Sequence, residues 1–151
     1  MKKSIIITGI LALAIGASSL SASSEFDLKA NMMKLNVELN ELQRGLIKGK
    51  QKKVEVTLES FAKDAAELLG DRDNMMKMLP KDMKNKKHKV NIAIDSARKI
   101  DVGVKNIREA LANKEGVSIR KRQAKAQEAY LNIVNACFKC HNLVRDKNRL
   151  K

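Results

Sequence analysis

The only two cysteines of this chain, Cys137 and Cys140, are followed at once by a histidine in the run Cys137-Phe138-Lys139-Cys140-His141. On an α-helix, positions three and four apart share a face, so both thiols and the imidazole would point the same way. That geometry suits covalent attachment of one haem. Two thiols reach the two vinyl groups along one porphyrin edge while the adjacent imidazole reaches the iron.

Three rival chemistries use the same residues less well. A disulfide between such close cysteines closes too small a loop to add much stability, and leaves the histidine without a purpose. A redox dithiol belongs at the start of a helix that follows a strand, whereas this motif falls late in a helical pattern. A zinc site needs four ligands, and the only other histidine is His88, in or near a linker.

Four segments must position the motif. Their apolar residues recur at spacings of three and four, the seam of an amphipathic helix, and no segment alternates like a strand. The first, about 27–48, aligns Leu28, Met32, Leu35, Leu39, Leu42 and Leu46. The second, about 52–69, aligns Val54, Leu58, Phe61, Ala65 and Leu68, and Gly70 is expected to stop it in a left-handed conformation. The third, about 89–113, aligns Val90, Ala93, Ala97, Ile100, Val104, Ile107 and Leu111, and ends before Gly116. Ser118 is placed to cap the fourth, which runs to about residue 149 through Ala126, Tyr130, Ile133, Val134 and Cys137. A linker at 71–87, rich in Lys, Asp, Asn and Met and holding the only proline, Pro80, separates the second and third. The other joins are short, which predicts an all-α fold: an antiparallel, up-and-down four-helix bundle with the haem near its C-terminal helix. Helices of about 20 residues would be roughly 30 Å long, room enough to sheathe one flat cofactor.

The chain opens as a secretory signal reads. Lys2 and Lys3 precede an apolar stretch at 5–17 and small residues at 18–24, so residues 1–23 are expected as a cleaved signal peptide and 24–151 as the bundle domain. Cleavage after Ser21 or Ser23 fits equally. The apolar stretch is shorter than the roughly 20 residues a membrane anchor wants. Periplasmic export without a stable membrane anchor follows, and it agrees with haem attachment. The formal charge of +14 falls to about +12 once Lys2 and Lys3 are removed. With three Phe, one Tyr and no Trp to stack on bases, and an export signal, nucleic acid is not the expected partner. A solvated basic surface explains the excess equally with steering toward an acidic redox partner or an anionic membrane face.

A helical bundle whose last helix carries the haem motif close to the carboxyl terminus resembles the class II cytochromes c, the cytochrome c-prime family and its low-spin relatives. The likeness covers the post-signal chain in architecture, and its specific motif spans residues 137–145. It implies one covalently attached haem c per chain, a basic residue one turn beyond the histidine, a place that Arg145 occupies, and dimerisation through the first two helices. It also implies two functions according to the sixth iron ligand. Low-spin members close the site with a methionine of the first helix and carry electrons; high-spin members guard it with an apolar residue and bind nitric oxide or carbon monoxide.

The first helix here carries Met32 on its apolar seam and Met33 one position off it, which makes Met32 the first candidate ligand and Met33 the alternative, with simple packing of Met32 as the rival use. Met75, Met76, Met78 and Met83 lie in the linker, where ordering a loop around a ligand costs more conformational entropy than using a helix. His88 reads as a solvated histidine, Tyr130 as core or a haem-edge neighbour, and Lys147, Arg149 and Lys151 as cations at a helix carboxyl end. The expectation is a non-enzymatic, periplasmic, monohaem electron carrier that serves acidic redox partners, with a gas-binding cytochrome as the alternative.

Overall fold

The computed structural model describes residues 19–112 and 115–144, with side chains from residue 27 onward. Over these residues the chain is all-helical: α1 (Ser19–Ile47), α2 (Gln51–Leu69), α3 (Arg72–Met78), α4 (Lys86–Leu111) and α5 (Ile119–Val144). Residues 1–18 of the expected signal segment 1–23, together with Arg145, Lys147, Arg149 and Lys151, lie outside the described residues. Helix α1 begins ahead of the expected start near residue 27 and runs without a break past Ser21 and Ser23. Cleavage at either point would leave the part of α1 that packs, from Leu28 onward.

The seams expected from spacing are the ones that bury. Leu35 and Leu42 of α1, Val54, Leu58, Phe61 and Leu68 of α2, Val90, Ile100, Val104 and Ile107 of α4, and Ala126 and Ile133 of α5 form one core. Each large apolar side chain removed from water there contributes about 1.5–3 kcal/mol, which is what holds together helices that would be marginal alone. Helix α1 lies along α2, α2 meets α4, and α4 packs most closely on α5, while α1 and α5 scarcely touch.

Polar contacts lock these joints from outside. Arg108 donates two hydrogen bonds of 2.8 Å to the Glu59 carboxylate, joining α4 to α2. Lys34 Nζ lies 2.5 Å from Asp64 between α1 and α2 and holds that carboxyl below its usual range.

The segment 71–87, expected as an irregular linker, contains helix α3. The Asp71 carboxylate caps it, accepting from the backbone N–H groups of Asp73 and Asn74 at 2.8 and 3.1 Å. Met75 and Leu79 turn into the core, and α3 stops because the residue before Pro80 is driven out of the helical region into an extended conformation. A single helical turn or two needs only these anchors, so the lysines around them mask the pattern. Gly70 does close α2, but in a right-handed conformation at φ −80°, since Asp71 makes the bend itself. Ser118 caps α5 as expected, its hydroxyl accepting from Lys121 N–H at 3.3 Å.

Gly103 explains how α4 and α5 come so close. A Cβ there would collide with the Ile133 side chain and lie 3.3 Å from the Ala129 carbonyl oxygen. Gly103→Val is therefore expected to cost about 1–3 kcal/mol through overpacking, read as a lower urea midpoint with an unchanged slope.

Candidate functional site

Where α1 and α5 fail to meet, an apolar cleft remains. Its enclosed cavity is small, about 90 Å³, and opens into about 540 Å³ of atom-free space that includes open solvent. All four long helices line it. Helix α5 supplies Cys137, Cys140 and His141, and α1 supplies Met32, Leu35, Asn36 and Leu39. Phe61 and Leu69 of α2 and Ser96 and Ile100 of α4 complete the walls. Each set follows helical spacing: 137, 140 and 141 share one face of α5, and 32, 35, 36 and 39 one face of α1.

The fold thus brings Met32, Cys137, Cys140 and His141 to one cleft from opposite ends of the chain. Met33 is not among them: it is 63% exposed on the outer side of α1. Met75 is buried in the core, and Met76, Met78 and Met83 pack partly buried against it, none of them lining the cleft. His88 is exposed. Tyr130 is half-buried against the core and does not reach the cleft wall; its phenol is pushed up by burial and by the nearby Cys137. Arg145 falls outside the described residues.

The two cysteines are free thiols. Burial, with Cys140 adding to it, pushes the Cys137 thiol up to about 11. Burial raises the Cys140 thiol as well, partly offset by the Ser96 hydroxyl beside it. Both are held protonated at neutral pH, opposite to the depressed values that activate a redox dithiol at a helix start. Among the described residues no three His, Cys, Asp or Glu side chains are placed so that they alone could hold a metal ion.

For the bare polypeptide, iodoacetamide alkylation of Cys137 is expected to be slow near neutrality and to rise about tenfold per pH unit until the pH approaches the thiol's own value. Mass spectrometry of quenched time points measures this directly. A rate already saturated near neutral pH would show an activated thiolate and return the redox dithiol to contention.

Leu69, Ser96 and Asn36 are the cleft residues that spacing did not single out, Leu69 being adjacent to the seam residue Leu68. Ser96 stands on the buried stripe of α4 between Ile92 and Ile100, and its hydroxyl is satisfied by donating to the Ile92 carbonyl at 2.8 Å. A serine at a seam position was the signal available for it. Asn36 adjoins Leu35 and carries none.

Comparison with protein-family models, characterised proteins and solved structures found no match to this chain.

Proposed function

We propose that this chain is a periplasmic monohaem c-type cytochrome that carries single electrons between redox partners and has no chemical turnover of its own. The observation that carries the reading is the convergence of Cys137, Cys140 and His141 with Met32 on one apolar cleft. The donor set fits haem c and little else. Cys137 and Cys140 would hold the porphyrin through thioether bonds, His141 would ligate iron from α5, and Met32 would ligate it from α1. When bound, the haem supplies a one-electron couple at iron.

The chain's own residues do the rest. Leu35, Leu39, Phe61, Leu69 and Ile100 keep water from the ring, and a dry His/Met pair raises the potential. Because α1 and α5 are each fastened to the α2–α4 core, the two ligands are held on rigid elements and reorganise little on reduction. The architecture that accompanies this reading is the antiparallel up-and-down bundle of α1, α2, α4 and α5 found in class II cytochromes c, with dimerisation through α1 and α2 as that family suggests. Basic charge directs the protein to acidic redox partners rather than to nucleic acid. No helix among the described residues is long and apolar enough to cross a membrane. A methionine at position 32, where an apolar guard would mark an open iron, favours the carrier over the gas-binding alternative.

An absorption spectrum of the protein, expressed with a haem-attachment system and recorded oxidised and reduced, tests the proposal. Sharp low-spin bands in the reduced form and a weak methionine-to-iron band in the oxidised form are expected. Absence of haem bands overturns the reading; a high-spin spectrum that shifts with carbon monoxide replaces the carrier with the gas binder.

A further inference from the structure

Residues 129–138 form the longest uncharged run among the described residues, in a chain that is 32% charged. The run is not simply core. Ala129, Ile133 and Ala136 face inward, but Leu131 and Phe138 are 57% and 64% exposed, and Asn132 and Asn135 are exposed beside them. Leu131, Asn135 and Phe138 follow the spacing of a single ridge along the outside of α5. Helix α1 carries a comparable exposed uncharged ridge at Met33, Val37 and Asn40, but only the ridge on α5 adjoins the cysteine pair in sequence.

Next to the ridge, α4 and α5 form a groove of about 860 Å³ of atom-free space, much of it open to solvent. Gly103 and Ala136 make its floor, Val102 and Asn106 border it from α4, and Asn132 and Asn135 border it from α5. Arg98, Lys99 and Lys139 line the end nearer the cysteines, where Lys99 pairs with Asp95 at 2.8 Å, while Glu109 and Glu128 lie beside Asn106 and Asn132 at the other end. Asp95 senses Arg98 and Lys139 as well, and all three cations pull its carboxyl below the usual range. At the end nearer the cysteines two cations, Arg98 and Lys139, therefore remain in excess at the edge of an uncharged apolar and amide surface. Charge depleted at the centre and kept at the rim is the anatomy of a protein interface, and the sign of the rim selects an acidic partner. The position matters too, because Phe138 and Lys139 are the two residues between Cys137 and Cys140.

We propose that the outer face of α5, with the α4–α5 groove beside it, is the docking surface for an acidic redox-partner protein. The inference rests on the electron-carrier reading and names where that carrier is met. The exposed lysines at 77, 81, 84 and 87 are the competing basic surface, but they flank partly buried methionines rather than an uncharged exposed ridge and lie away from the cysteine pair in sequence.

A plant-type [2Fe–2S] ferredoxin serves as the acidic probe, titrated into isotope-labelled full-length protein at low salt with amide shifts and broadening as the readout. Effects concentrated at Val102, Asn106, Asn132, Asn135, Phe138 and Lys139 are expected. The double variant Arg98→Glu/Lys139→Glu is expected to weaken binding by about tenfold or more, and a control with the same charge change on the other side, Lys29→Glu/Lys52→Glu, by less than about threefold, with both differences collapsing at high salt. Phe138→Ser should weaken binding with little salt dependence. Shifts centred on the 77–87 lysines, equal weakening by both double variants, or concentration-dependent shifts of the same face without ferredoxin each overturn the proposal. The map does not depend on haem. A colourless protein that still binds here would sink the electron-carrier reading and leave the surface standing, and a haem protein mapped elsewhere would do the reverse.

Discussion

The double variant Cys137→Ser/Cys140→Ser is expected to lose all haem that survives denaturation. Wild-type protein should keep haem staining through denaturing electrophoresis and show an intact mass heavier than the polypeptide by one haem; the double variant should show neither. The expectation is all-or-none because the chain has no other cysteine to form a thioether. Single variants should keep one bond and stain more weakly. Loss of the fold is not the cause anticipated. A serine hydroxyl at the buried Cys140 costs about 1–3 kcal/mol if left without a partner, and Ser96 is within hydrogen-bonding reach of that position. Against a usual stability of about 5–15 kcal/mol the helical circular-dichroism signal should survive. His141→Ala separates the roles further, since the thioethers would remain while iron loses its ligand from α5. Haem retained on the double variant after denaturation would remove the covalent claim altogether.

Much of this arrangement was legible in the sequence because the cleft is built from ordinary helical spacing. The same periodicity that marks Leu28 to Leu46 as a seam places Met32 inside and Met33 outside, and the structure sorts the two methionines that way. The run 137–141 declares itself by residue type. What spacing could not supply was the pairing of helices. That α1 scarcely meets α5, so that their facing sides line a cleft rather than close on one another, depends on how tightly Gly103 lets α5 approach α4, and that is a property of two helices together. Helix α3 escaped notice for a different reason. Its stability comes from one carboxylate cap and two buried side chains, Met75 and Leu79, a signal too short to stand out among lysines and aspartates. The docking ridge on α5 was readable as an absence of charge, but only the exposure of Leu131 and Phe138 distinguishes an uncharged surface from an uncharged core.

Met32→Ala is the variant that separates an electron carrier from a gas binder. With the thioether gone, no other methionine among the described residues lines the cleft to replace it: Met33 faces solvent and Met75 is committed to the core. The methionine-to-iron band should vanish, and carbon monoxide should bind where it did not before. The reduction potential should fall by an amount on the order of 0.1 V or more, a modest part of the roughly 0.8 V that axial ligands control. Met32 is only partly buried, so the packing loss belongs at the low end of the about 2–5 kcal/mol usual for such truncations. Stability therefore moves little while spectrum and potential move much. Met33→Ala supplies the control: as an exposed side chain it should leave the spectrum untouched and stability within about 0.5 kcal/mol. A Met32→Ala protein with an unchanged spectrum and potential would reduce Met32 to packing, and a shift on Met33→Ala instead would require α1 to turn its outer face toward the cleft.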